Sequence, residues 1–175
     1  MKKFVIAALL AGFQFGSAYA GEAKLTWGNL DKFTDIQEGR DNRDQFREHL
    51  KKEFSDVFNH LAKKLPDGYT LAVDVNDIDL AGDIRPSTSF WQIRVMTTIY
   101  WPRMVFNYEL RNDKSELVAS GKEELRDMDY LNHPRIPSGN TRFEFEERML
   151  QDWFRHQYAS GNFPSRESNK IAVKE

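Results

Sequence analysis

Acidic residues give this chain its densest chemistry. Asp74, Asp77, Asp79 and Asp83 fall close together, and Asp127-Met128-Asp129 repeats an Asp-apolar-Asp pattern farther on. Oxygen ligands at short spacing suit a hard cation such as calcium, but the spacing does not match an EF-hand loop, which needs Gly at its sixth position and Glu at its twelfth. Two carboxylates brought together could instead act as an acid/base pair, one of them titrating high. Asp74, Asp77, Asp79, Asp127 and Asp129 therefore form a candidate acidic cluster, with carboxylate- or metal-dependent hydrolysis and calcium-dependent stabilisation as its two uses. The commoner role for such side chains is to cap turns and bind backbone amides around an irregular strand end. The familiar catalytic signatures are absent: there is no G-x-S-x-G, no H-E-x-x-H, no phosphate loop and no dinucleotide fingerprint. His49 and His60 are about three helical turns apart, too far to share one ion. No catalytic residue, metal ligand or cofactor is assigned on this basis.

A second candidate site is a surface rather than a cluster. Arg94, Tyr100, Asn107 and Glu109, with Trp101 and Arg103 at the corner around Pro102, mix charge and aromatic area in a way that suits recognition of a protein or an envelope component. Arg94 is expected to pair across strands with Asp74 or Glu109.

These residues must be placed by a run of strands from Tyr69 to Leu125. Alternation puts Leu71, Val73 and Val75 on the inner face of the first strand; Trp91, Ile93, Val95, Thr97 and Ile99 on that of the second; Met104, Phe106, Tyr108 and Leu110 on that of the third. The fourth turns Leu117, Ala119, Gly121 and Leu125 inward. Ile78 and Leu80 are out of phase with Val75, which predicts a bulge near Asn76. Asn112 to Ser115 reads as a hairpin turn. Upstream, Ala23 to Trp27 is a short strand, and Phe33 and Ile36 anchor the loop after it. A helix opens at Asp41 or Asn42, carries the stripe Phe46, Leu50, Phe54, Val57, Phe58 and Leu61, and stops at Pro66-Asp67-Gly68. Downstream, a loop from Arg126 to Asn140 leads to a second helix, opened by Thr141 with Glu144 as a capping box, in which Phe145, Met149, Trp153 and Phe154 share a face. The expected fold is an α+β two-layer sandwich: a mainly antiparallel meander sheet, both helices on its apolar face, the other face open to solvent.

The ends set the context. Lys2 and Lys3 precede an apolar run from Phe4 to Phe15, and Ala18-Tyr19-Ala20 fits a signal-peptidase site, so residues 1–20 read as a signal peptide and the product as periplasmic. Residues 21–159 then form one domain and 160–175 a flexible tail. The run is too short to span a bilayer, so no membrane insertion is expected after cleavage. A net charge of −2 argues against bulk nucleic-acid binding, which wants a basic stripe. With no cysteine, there is no disulfide framework or thiol chemistry.

Leu25-Thr26-Trp27, Phe33-Thr34-Asp35-Ile36, Leu65-Pro66-Asp67-Gly68, Asp77-Ile78-Asp79-Leu80-Ala81-Gly82, Trp101-Pro102-Arg103 and Leu125-Arg126-Asp127-Met128 follow one another in this order. Together they resemble an exported bacterial family catalogued as domain of unknown function 3016, over about Ala23 to Trp153. The resemblance implies a Gram-negative envelope setting and brings no catalytic residue with it. The reading preferred from the residues is an accessory or binding module that uses the open sheet face and the adjoining loops at 81–89 and 126–140.

Overall fold

The computed structural model describes residues 20–39, 41–87, 92–134 and 142–166. Its elements are β1 (Glu22–Trp27), α1 (Arg43–Ala62), β2 (Thr70–Asp79), β3 (Asp83–Pro86), β4 (Gln92–Val95), β5 (Arg103–Arg111), β6 (Leu117–Arg126) and α2 (Glu144–Ala159). A four-stranded sheet runs in the order β1-β2-β5-β6, and β3 with β4 forms a separate two-stranded sheet. β1 is parallel to β2, while the β2–β5 and β5–β6 pairs are antiparallel. The expected bulge is present: the β2–β5 register shifts between Val75 and Asp77. Its effect is to return Ile78 and Leu80 to the face already occupied by Leu71, Val73 and Val75, and all five are buried.

Both helices cover that face. The ring of Phe106 on β5 lies 5.7 Å from Phe58 of α1 and 5.0 Å from Trp153 of α2, so one strand residue packs against both rods. In α1 the residues Phe46, Leu50, Phe54, Phe58 and Leu61 are buried along one stripe. Asn42 is its N-cap, accepting from the Asp44 and Gln45 amides. The α+β sandwich expected from the strand and helix patterns is therefore the fold observed.

Four local expectations need correction. Leu117, expected inward, is 52% exposed, beside a register shift of the β5–β6 pair between Leu110 and Arg111. The expected second strand of the meander is not in the main sheet: β5 pairs directly with β2, and among the described residues 92–100 only Gln92–Val95 is strand, paired with β3. The cause lies at Gly82, whose φ of 80° turns the chain out of the sheet. Ile93 and Ile99 are consequently 44% and 64% exposed rather than core; Phe90 and Trp91 lie outside the described residues. Next, α2 begins after Phe143 with no side-chain cap bond, and Thr141 lies outside the described residues. Phe143 is instead buried, 5.5 Å from Phe54 and 6.0 Å from Phe46, so packing fixes this helix end. Finally, the chain beyond 160 stays attached as far as Arg166. Phe163 is 2% exposed among Tyr108, Trp153 and Phe154, and Arg166 pairs with Asp67. One aromatic in an otherwise polar stretch is enough to hold it; residues 167–175 lie outside the described set.

Candidate cleft beside the small sheet

Turning β3 and β4 out of the main sheet opens a cleft of about 590 Å³ between the hairpin, the loop at 37–41 and the N-terminal ends of the two helices. That volume is in the range of small-molecule sites. Ile84 of β3, Ile93 of β4 and Met96 form one side; Phe46, Phe143 and Phe145 form another; Leu80 and Ala81 line it as well. Its polar groups include Arg94, Arg142, Asp41, Glu38 and Glu146.

Arg94 holds the hairpin in place. Its guanidinium donates to both carboxylate oxygens of Asp35, at 2.8 and 3.3 Å, and to the carbonyls of Gln37, Leu80, Ala81 and Gly82 at 3.1 to 3.4 Å. The two terminal nitrogens of the planar fork reach these acceptors on both sides, Nη1 sharing its hydrogens among four of them and Nη2 serving two. A second tie comes from Tyr130, which donates to the Thr97 carbonyl at 2.8 Å and accepts from the Thr97 amide at 3.0 Å.

Glu146 is the unusual group. It is 2% exposed, its Oε1 accepts from the Ala81 amide at 2.7 Å, and it forms no ion pair among the described residues. Burial pushes its carboxyl above the ordinary glutamate range, opposed by the Ala81 amide and, more weakly, by Arg94. Near the mouth, Arg142 pairs with Asp41 and lies 5.8 Å over the Phe46 ring.

The sequence-derived candidates separate into three places. Asp74 is on the open sheet face, accepting from Thr26 and Asn76. Asp77 accepts from the Thr34 amide and hydroxyl and pairs with Arg103 at 2.8 Å. Asp79, on the same strand end, has its carboxyl raised by burial and then by Asp35. Asp127 faces His133 at 2.9 Å and accepts from the Asp129 amide, while Asp129 accepts from Asn132. Asp77 and Asp127 thus have different partners and form no shared dyad. Among the described residues no three His, Cys, Asp or Glu side chains are grouped to hold a metal.

Of the candidate surface, Asn107 and Glu109 are exposed on the open face and Arg103 lies at its end, with Glu109 bonded to Arg111. Arg94 does not join them: its partner is Asp35, not Asp74 or Glu109. Tyr100, 40% exposed, and Trp101 sit in the connection from β4 to β5, where the Tyr100 carbonyl accepts from the Gly82 amide at 2.8 Å. Phe143, Phe145 and Glu146 were absent from the sequence-derived candidates. The signal was present, because Glu146, Leu150, Trp153 and Gln157 share the inner side of α2 at helical spacing, which places an acid among core positions.

The family described as Protein of unknown function (DUF3016) matches residues 21–156. No curated protein and no solved structure matches the chain.

Proposed function

The chain belongs to the DUF3016 family, and from that premise we propose that it is an exported binding module whose recognition site is the cleft beside the β3–β4 hairpin. The observation that carries the reading is the coincidence in one cleft of apolar walls, a buried carboxyl and an arginine clasp. Sites for small ligands are built this way, with mostly apolar lining and a few fixed polar groups. The open sheet face offers less: its charges are already engaged, Asp74 with Thr26 and Asn76 and Glu109 with Arg111. Export follows from the leader-like residues 1–20, which would deliver the module to the periplasm.

Ligand-observed NMR on a small-molecule extract of the periplasm tests the site. Wild type is expected to attenuate the signals of at least one component, Ile84→Trp to abolish that effect by filling the cleft, and Glu109→Lys on the sheet face to preserve it. Equal attenuation by wild type and Ile84→Trp, or none by either, would rule the cleft out.

A further inference from the structure

We propose that the cleft selects organic cations, specifically an ammonium group carried on an apolar body, with Glu146 as the counter-charge and Phe46, Phe143 and Phe145 as the ring surfaces around it. This rests on the cleft being the binding site. Buried carboxyl groups are ordinarily matched by a basic side chain, and a carboxyl held in a cleft without one leaves that place open to a charge from outside. Glu146 is in that position: among the described residues its one side-chain bond to another residue is to the Ala81 amide, and the Arg94 guanidinium nearby is committed to Asp35 and four carbonyls. Glu38 on the lining likewise has no ion pair among the described residues.

The rings give a second, independent indication. Ammonium and guanidinium groups are attracted to aromatic faces, and three phenylalanines line one cleft. The chain already shows this pairing at the mouth, where Arg142 lies over Phe46 while bound to Asp41. A free cation entering deeper would find the same elements, acid and ring, in Glu146 with Phe143 and Phe145. The aliphatic residues Ile84, Ile93, Leu80 and Met96 would take its apolar body. An anion would meet Glu146, Glu38 and Asp41, and would have to compete with Asp35 for Arg94 and with Asp41 for Arg142.

Burial favours the protonated form of Glu146 in the empty cleft. A bound ammonium favours the carboxylate, so cation binding and loss of the Glu146 proton are linked. Affinity for the cation should therefore rise with pH through the range in which Glu146 titrates, and affinity for a neutral analogue should not.

Octylammonium, octanol and octanoate share one apolar body and differ in the head group, which makes them the probes of choice for calorimetry. The expected result is an affinity for octylammonium about tenfold or more above both others, and one that rises with pH. Glu146→Gln should remove the preference and the pH dependence, and Phe145→Leu should weaken octylammonium while leaving octanol unchanged. Octanol or octanoate binding as tightly as octylammonium would overturn the selectivity while leaving the cleft as a binding site. Binding of none of the three would overturn both. A preference that survives in a folded Glu146→Gln protein would assign the cation elsewhere and defeat the proposal.

Discussion

At the scale of single residues, the two groups that shape the cleft make opposite predictions. Arg94 and Asp35 are both largely shielded, so deleting the arginine leaves a carboxylate and four carbonyl groups without their donor. Arg94→Met should cost about 3 kcal/mol, the order found on breaking a shielded ion pair, and chemical denaturation measures it. Glu146 works in the other direction. A carboxyl whose folded pKa lies above its unfolded value binds more protons folded than unfolded, so its contribution falls as pH rises from the unfolded value toward the folded one. Glu146→Gln keeps an oxygen for the Ala81 amide and removes the charge. It should raise the melting temperature at neutral pH, with the gain vanishing below about pH 4, where both states of the wild type are protonated. An equal gain at all pH values would contradict a titrating Glu146. Gly82→Ala is a third case: with φ at 80° and Val95 O only 2.7 Å from where a Cβ would sit, it should cost about 1 to 3 kcal/mol and loosen the hairpin.

At the scale of elements, the alternation of β2 and β5 was legible because both strands bury one complete face, and even the bulge at Asn76 could be read from the phase change between Val75 and Ile78. The segment around β4 misled for a physical reason. Alternation reports that one side of a strand is apolar, not which sheet that side meets, and Ile93 faces the cleft instead of the core. Gly82 turns the chain out, and what holds it there is long-range: Arg94 reaches Asp35, 59 positions earlier. Periodicity within a window cannot register such a contact. Phe163 escaped notice similarly, as one ring in a polar stretch that finds Trp153 and Tyr108 only after folding. Two-stranded sheets are marginal without support. Amides of β3 and β4 should therefore exchange with solvent faster than those of β2 and β5, and faster still in Arg94→Met, as hydrogen exchange would show. Core strands should resist: Phe106→Ala, which strips the ring that meets both helices, is expected to cost about 3 to 5 kcal/mol.

At the scale of the whole molecule, one face of the sheet carries the stability and the turned-out hairpin carries the proposed recognition site. The two are separable: cleft substitutions such as Ile84→Trp should alter binding with little effect on the core, and core substitutions the reverse. Proposed export fits this layout at the N-terminus. Gly21 is buried against the C-terminal turn of α1, where a Cβ would lie 2.4 Å from Ala62 O, so cleavage after Ala20 would set a new ammonium beside helix-end carbonyls, the favourable end for a cation.

The most direct measurement of the central claim is an amide chemical-shift map of the isotopically labelled protein titrated with octylammonium. Shifts concentrated at Ala81, Ile84, Ile93, Arg94, Phe145 and Glu146 are the predicted result. Shifts at Asn107, Glu109 and Lys122 with the cleft unmoved would contradict it.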